Sequence, residues 1–327
     1  MYLRTSIETL ASPFTVGLES SILTIGSCFS DFLGEKLEQD KFSCLSNPFG
    51  TLYNPVSIAK LLRHSMQLQT TPSHLFWENE GIWYHHDYHS QWWAFEREEL
   101  EKIIEKTHLE VHHFLRKTQV VILTLGTAYV HKIKPNLNIV SNCHKRPAQD
   151  FKKELLSVKE TVHAMSSLLD QLLVYNGKIK VILTVSPVRH TRETLQGNSL
   201  SKSILRVACH ELAEKYAHVS YFPSYEIMID DLRDYRFFQP DLIHPNEVAL
   251  DYIFDLFKKT YVSRCTQEWL VQWQKVKQGL THRPLHPGTS SHRQFLAQLK
   301  TQLDTLGNTV NLSQERDWID LQLNQLG

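Results

Sequence analysis

The sequence predicts an α/β fold: a three-layer sandwich with a mainly parallel five-stranded sheet, an aromatic-rich insertion near residues 70–95 and a C-terminal helical appendage. Two observations carry that expectation. Short, continuously apolar, β-branched runs alternate with segments of helical periodicity, and such runs suit strands covered on both faces. After Tyr261 the apolar runs stop and the chain turns polar and helical.

Ser21–Ile25 is the first expected strand and Lys41–Leu45 a short second one. Gln119–Leu125 and Lys178–Val185 are apolar almost throughout, and Val219–Phe222 makes a fifth. Between them, Phe29, Leu33 and Leu37 mark a helix behind the first strand. Pro55 opens another, running to Met66, where its missing N–H costs nothing. Leu155, Val158, Val162, Met165, Leu169 and Leu172 stripe a long helix before the fourth strand. Parallel strands joined by helices imply right-handed crossovers. Trp77, Trp83, Tyr84, Tyr88, Trp92 and Trp93 crowd into the insertion, expected as loops or a small hairpin. The organisation is then one large domain over residues 1–262 and the appendage over 263–327, broken at His282–Pro287.

With 35 basic and 35 acidic side chains the chain is neutral, giving no electrostatic argument for nucleic acid or an anionic membrane as partner. No run of about 18 apolar residues predicts a membrane span, and the N-terminal segment has no leader-like apolar stretch. Five cysteines, odd in number and without a CxxC pair, suit reduced thiols in a cytoplasm. Eighteen histidines, with pairs at His85-His86 and His112-His113, raise a metal reading. No HExxH or paired CxxC supplies ligand spacing, so neither a metal nor another cofactor is expected.

Gly26-Ser27 stands where the first strand gives way to a helix, at the sheet edge where open α/β proteins bind ligands. A serine there is expected to project its hydroxyl into the crevice, with helix N–H groups forming part of an oxyanion hole. The plain alternative is a helix N-cap. Downstream, Asp241 and His244 are three apart in a loop running into a helix with Pro245 at its first position. A carboxylate at that spacing can fix the imidazole tautomer and leave Nε2 free to take a proton. Cys28 is a rival nucleophile, but one place into the helix it is expected to turn toward the core as a small apolar group.

Gly26-Ser27-Cys28-Phe29-Ser30 resembles the sequence that gives the GSCFA family its name, a branch of the SGNH/GDSL hydrolases. The resemblance continues through Asn47-Pro48-Phe49-Gly50, Tyr53-Asn54-Pro55, Gly126-Thr127-Ala128 and Asn142-Cys143-His144-Lys145. Val185–His190, Tyr221-Phe222-Pro223 and Asp231–Phe238 follow in the same order, so that it runs roughly from Ile22 to Phe257. It implies an SGNH-like fold with Ser27 as nucleophile, Asp241 as orienting carboxylate and His244 as base. It also implies oxyanion donors at Ser27 and Gly50.

The third donor of such sites is an asparagine in a Gly-x-Asn motif, and here Ala128 stands in its place. Losing one donor costs about 10²–10³ in turnover, so a replacement is expected from Asn142 or His144, Asn142 first. Arg189 and His190, on the rim after the fourth strand, are candidates for substrate contact together with Gly126 and Thr127. Arg189 is equally a structural partner for an acid in residues 230–234. The expected function is an esterase acting through an acyl-serine on an O-acyl carbohydrate or related small ester. An acyltransferase of the same mechanism and a weakly catalytic glycan- or protein-binding member are the alternatives.

Overall fold

The computed structural model describes residues 5–8 and 12–325; parts of the N-terminal segment and residues 326–327 of the appendage lie outside it. The chain opens on β1 (Ser21–Gly26), α1 (Cys28–Gln39), β2 (Ser43–Ser46) and α2 (Pro55–Gln67). An antiparallel three-stranded unit follows: β3 (Phe76–Asn79), β4 (Ile82–His85) and β5 (Trp93–Ala94). After α3 (Arg97–Lys117) and β6 (Val120–Leu125) comes a second small antiparallel sheet, β7 (Tyr129–Ile133), β8 (Asn138–Val140) and β9 (Phe151–Leu155). Then α4 (Val158–Tyr175), β10 (Lys180–Val185), α5 (Thr194–Lys215), β11 (Val219–Phe222) and a short α6 (Ser224–Glu226) lead to α7 (Glu247–Tyr261). The chain ends on α8 (Arg264–Thr281), α9 (Ser290–Thr305) and α10 (Ser313–Gln325).

The main sheet has the order β11-β10-β6-β1-β2 and every pair is parallel. Alternate side chains of each strand serve opposite layers, as the pleat requires. Leu23, Ile25, Val121, Leu123, Val181 and Leu183 join a core built with α2, α3, α4 and α5. Ile22, Val120, Ile122 and Ile182 face the other core, shared by α1 and α7. The appendage belongs to this second core through Trp273, Leu299, Leu303 and Ile319, and Trp273 Nε1 donates to Gln39 O at 2.9 Å.

Three local expectations change. Leu155 ends a strand instead of opening the long helix; Ser157 caps α4 through a capping box with Glu160. Pro245 precedes the start of α7, whose N-cap is Asn246, the side chain accepting from Ala249 N at 3.1 Å. The aromatic insertion is the β3–β4–β5 sheet, in which the Arg146 guanidinium lies 4.6 Å from the Trp77 ring while Trp93 stays exposed.

Candidate active site

The carboxyl ends of the parallel strands open onto a cleft of about 770 Å³. Cys28, Tyr53 and Thr127 come from the strand ends and the loop after β2. Arg189, His190 and His244 form one side, and the Ser141–Lys145 segment with His89 and Ser90 forms another.

At the turn from β1 to α1, Ser27 and Cys28 take different directions. Gly26 has φ +148°, and a Cβ there would fall 2.1 Å from Thr124 O, so only glycine lets the turn lie this close to β6. Ser27 caps α1: its Oγ accepts from Phe29 N at 3.4 Å and its own N–H donates to Thr124 O at 3.1 Å. It is 1% exposed and is not among the residues lining the cleft. The expectation of a serine hydroxyl projecting into the crevice is therefore corrected, because the cap turns it inward. The half-buried Cys28, expected to face the core, lines the cleft instead.

Burial, then the nearby Asp31 carboxylate, push the Cys28 thiol upward, while its own N–H, the Lys202 ammonium and the Phe29 N–H pull the other way. Such a thiol is protonated at neutral pH and needs a base. An imidazole held by a carboxylate shares the cleft. His244 Nδ1 lies 2.6 Å from Asp241 Oδ2, while Asp241 Oδ1 accepts from Ile243 N at 2.9 Å and His244 N at 3.0 Å. These bonds, the imidazole first, hold the Asp241 carboxyl down to about 2. Among the described residues, His244 Nε2 has no protein hydrogen-bond partner, and Ser27 Oγ makes no bond to it.

Arg189 holds that loop. Its N–H donates to Ile243 O at 3.1 Å, its Nη1 to Leu242 O at 3.2 Å, and its guanidinium lies 4.1 Å from the Phe238 ring. No acid in residues 230–234 pairs with it among the described residues, so the expected acid partner gives way to a clasp on the His244 loop, while Arg189 also lines the cleft where substrate contact was expected.

Two expected oxyanion donors are already engaged. Ser27 N–H serves Thr124, and Gly50 N–H donates to Asn47 O at 2.7 Å in a turn with φ +73°. Ala128 is fully buried in the core, its N–H on Ser201 Oγ at 2.7 Å, so that position faces away from the cleft. Gly126 acts from behind, its N–H and that of Thr127 fixing Tyr53 O at 2.8 and 3.0 Å. Asn142 does line the cleft, and its Oδ1 accepts from His144 N at 2.9 Å, leaving Nδ2 without a protein partner among the described residues. His144 Nε2 bonds His85 O at 2.9 Å, and burial lowers its imidazole to about 4.

Lys202, on α5, went unread in the sequence. It is 1% exposed, donates to Ser186 O at 2.8 Å just past β10, and has no carboxylate partner among the described residues. Burial lowers it to about 7, and the Cys28 sulfur is the charge that opposes this. The available signal was a lysine on the apolar stripe Leu205, Cys209, Leu212.

A second cleft of about 550 Å³ lies between α1, α7 and α8. Its charges neutralise one another, as in Lys36–Asp251 at 2.6 Å, and no nucleophile–base pair lines it. Among the described residues no group of three His, Cys, Asp or Glu side chains is disposed to hold a metal ion, and no helix is long and apolar enough to cross a membrane.

The chain matches the GSCFA family over residues 21–257 and the C-terminal domain of GSCFA domain proteins over residues 273–325. No curated protein matches it. Among solved structures it is similar to a Streptococcus pneumonia protein provisionally named a platelet activating factor. The identity is 12%, the match covers 73% of this chain and 84% of that one, and the TM-score is 0.38.

Proposed function

The chain belongs to the GSCFA family, and from that premise we propose that it transfers the acyl group of an ester through a covalent intermediate on Cys28. One observation carries the proposal: Cys28 and a histidine oriented by a carboxylate line the same cleft. The Cys28 Sγ attacks the ester carbonyl as its proton passes to His244 Nε2, and the carbonyl oxygen takes the negative charge. The tetrahedral adduct collapses, the carbon–alkoxy bond breaks, and His244 protonates the leaving alkoxide. Water then attacks the thioester, with His244 taking its proton, and the thiol is restored. A hydroxyl in place of water makes the same cycle an acyltransferase. Asn142 Nδ2 and the Cys28 N–H are the candidate oxyanion donors.

The kinship with SGNH hydrolases and the choice of an O-acyl carbohydrate or small ester belong to this proposal by analogy. The five free cysteines support a cytoplasmic location for it.

The test is turnover of a short-chain aryl ester by the protein and by Cys28→Ala and His244→Ala, beside labelling with iodoacetamide and a fluorophosphonate. Turnover lost in both variants supports the thiol. Fluorophosphonate on Ser27, with Cys28→Ala still active, overturns it. A second reading, a weakly catalytic binder of a glycan or protein, is favoured by the engaged N–H groups of Ser27 and Gly50. No turnover and no labelling of folded protein would support that reading instead.

A further inference from the structure

We infer that the ester this cleft accepts carries a carboxylate or phosphate, held by Arg192 and Lys145 across from Cys28. The inference rests on the acyl-transfer reading for the word ester, and on the cleft itself for the anion.

Although the chain is neutral overall, the residues lining the cleft are not. They include Lys145, Arg189 and Arg192 and five histidines, with no aspartate or glutamate among them. Three acids near the cleft already have partners. Asp31 accepts from Asn47 Nδ2 at 2.8 Å, Asp241 holds His244, and Glu193 is paired with Lys153. Arg189 is committed to Leu242 O and the Phe238 ring. Among the described residues, Arg192 and Lys145 have neither an ion pair nor a hydrogen bond to the protein, although both line the cleft.

Their placement is specific. Arg192 sits in the turn Thr191–Glu193 after β10, and its charge is felt at Tyr53 and at Cys143, on two different walls. Lys145 follows His144, the two residues at φ +58° and +46° turning the segment sharply at the cleft. Non-glycine residues hold that conformation only where the surroundings enforce it, and here His144 is locked to His85 O. On these two walls His144 and His190 each keep a buried Nδ1 without a protein partner among the described residues. Like-signed charges over low-dielectric walls concentrate a counter-anion. The guanidinium fork of Arg192 suits a planar carboxylate or a phosphate, and Lys145 adds a second charge.

Two alkylating reagents that differ in charge read this field at the sulfur. In each, the Cys28 thiolate forms the S–C bond, iodide leaves and the thiol proton goes to base. Iodoacetate is anionic and iodoacetamide neutral. Peptide mapping separates Cys28 from Cys143, which also lines the cleft. The iodoacetate-to-iodoacetamide rate ratio at Cys28 should exceed that of free cysteine about tenfold at low salt, and fall toward it in Arg192→Ala with Lys145→Ala. Inorganic phosphate and succinate, titrated by calorimetry, should bind the wild type, and the tighter one names the oxyanion. Binding should be lost in the double variant. A ratio equal to that of free cysteine together with no binding of either anion overturns the inference. So does a ratio or binding that the double variant leaves unmoved. If Cys28 reacts with neither reagent, calorimetry alone decides. Loss of aryl ester turnover in Cys28→Ala tests the acyl-transfer reading separately, since it does not depend on the anion.

Discussion

His244 Nδ1 and Asp241 Oδ2 lie 2.6 Å apart on a loop that also gives the same carboxylate two backbone N–H groups. The arrangement selects the tautomer with hydrogen on Nδ1 and leaves Nε2 the basic nitrogen. Asp241→Asn removes that selection, and turnover should fall by roughly 10²–10⁴ with KM little changed. The Asp241 carboxyl, held down to about 2, stays ionised as pH falls through 4. Its charge therefore goes on orienting the imidazole over that range, and steady-state kinetics of Asp241→Asn beside the wild type measure the loss.

Cys28 and Ser27 separate cleanly in a pair of variants. Cys28→Ala should abolish turnover without loss of stability. Ser27→Ala removes the cap of α1, costing about 1 kcal/mol in a denaturant titration, with most turnover retained. The opposite pattern would return the nucleophile to the serine.

Lys202→Met should make the protein more stable and Cys28 less reactive. A lysine lowered to about 7 from 10.5 binds fewer protons folded than unfolded between those values. Wild-type stability should thus rise with pH across that window, with the full burial cost present below it. The variant removes a cost of up to about 5 kcal/mol at pH 6, and its advantage should shrink by pH 10. Iodoacetamide labelling of Cys28 at pH 6–7, where Lys202 is still charged, should slow, because the cation favouring the thiolate is gone. Thermal melts at the two pH values and the alkylation profile measure both effects.

Arg189→Ala frees the loop it clasps and should lower kcat about tenfold or more, since small misplacements of a base are costly. Arg189→Lys should rescue little, because a lysine cannot both stack on Phe238 and donate to Leu242 O in the same plane. Steady-state kinetics of the two variants decide this.

The main sheet was legible because β6 and β10 are apolar on both faces, which only a covered parallel sheet requires. The β7–β9 sheet was not, since Tyr-Val-His-Lys-Ile pairs with residues 18 to 26 positions further along the chain and both strands are partly exposed. The helix α3 was also unread: Arg97–Lys117 is dominated by charge, with its apolar stripe only at Leu100, Ile104, Val111 and Leu115. At the candidate site the spacing of Asp241 and His244 was informative because it acts within one loop. The orientation at residues 27 and 28 was not. One step along a helix turns a side chain by about 100°, and the sequence does not fix the first helical residue that closely.

The wall formed by Ser141–Lys145 is tied to the aromatic insertion at four points. Ser141 N and Asn142 N donate to His86 O at 2.9 and 3.0 Å, His86 Nδ1 meets Asn142 O at 2.8 Å, and His144 Nε2 meets His85 O at 2.9 Å. Tyr84 stacks on His144 with ring centroids 4.9 Å apart. Two excursions leaving the sheet after β2 and after β6 thus behave as one transplantable cassette. An engineer exchanging substrate preference between relatives would have to move residues 76–94 and 129–155 together, because either alone arrives without its mate. Cys28 and His244, carried by α1 and the loop before α7, would stay behind unchanged.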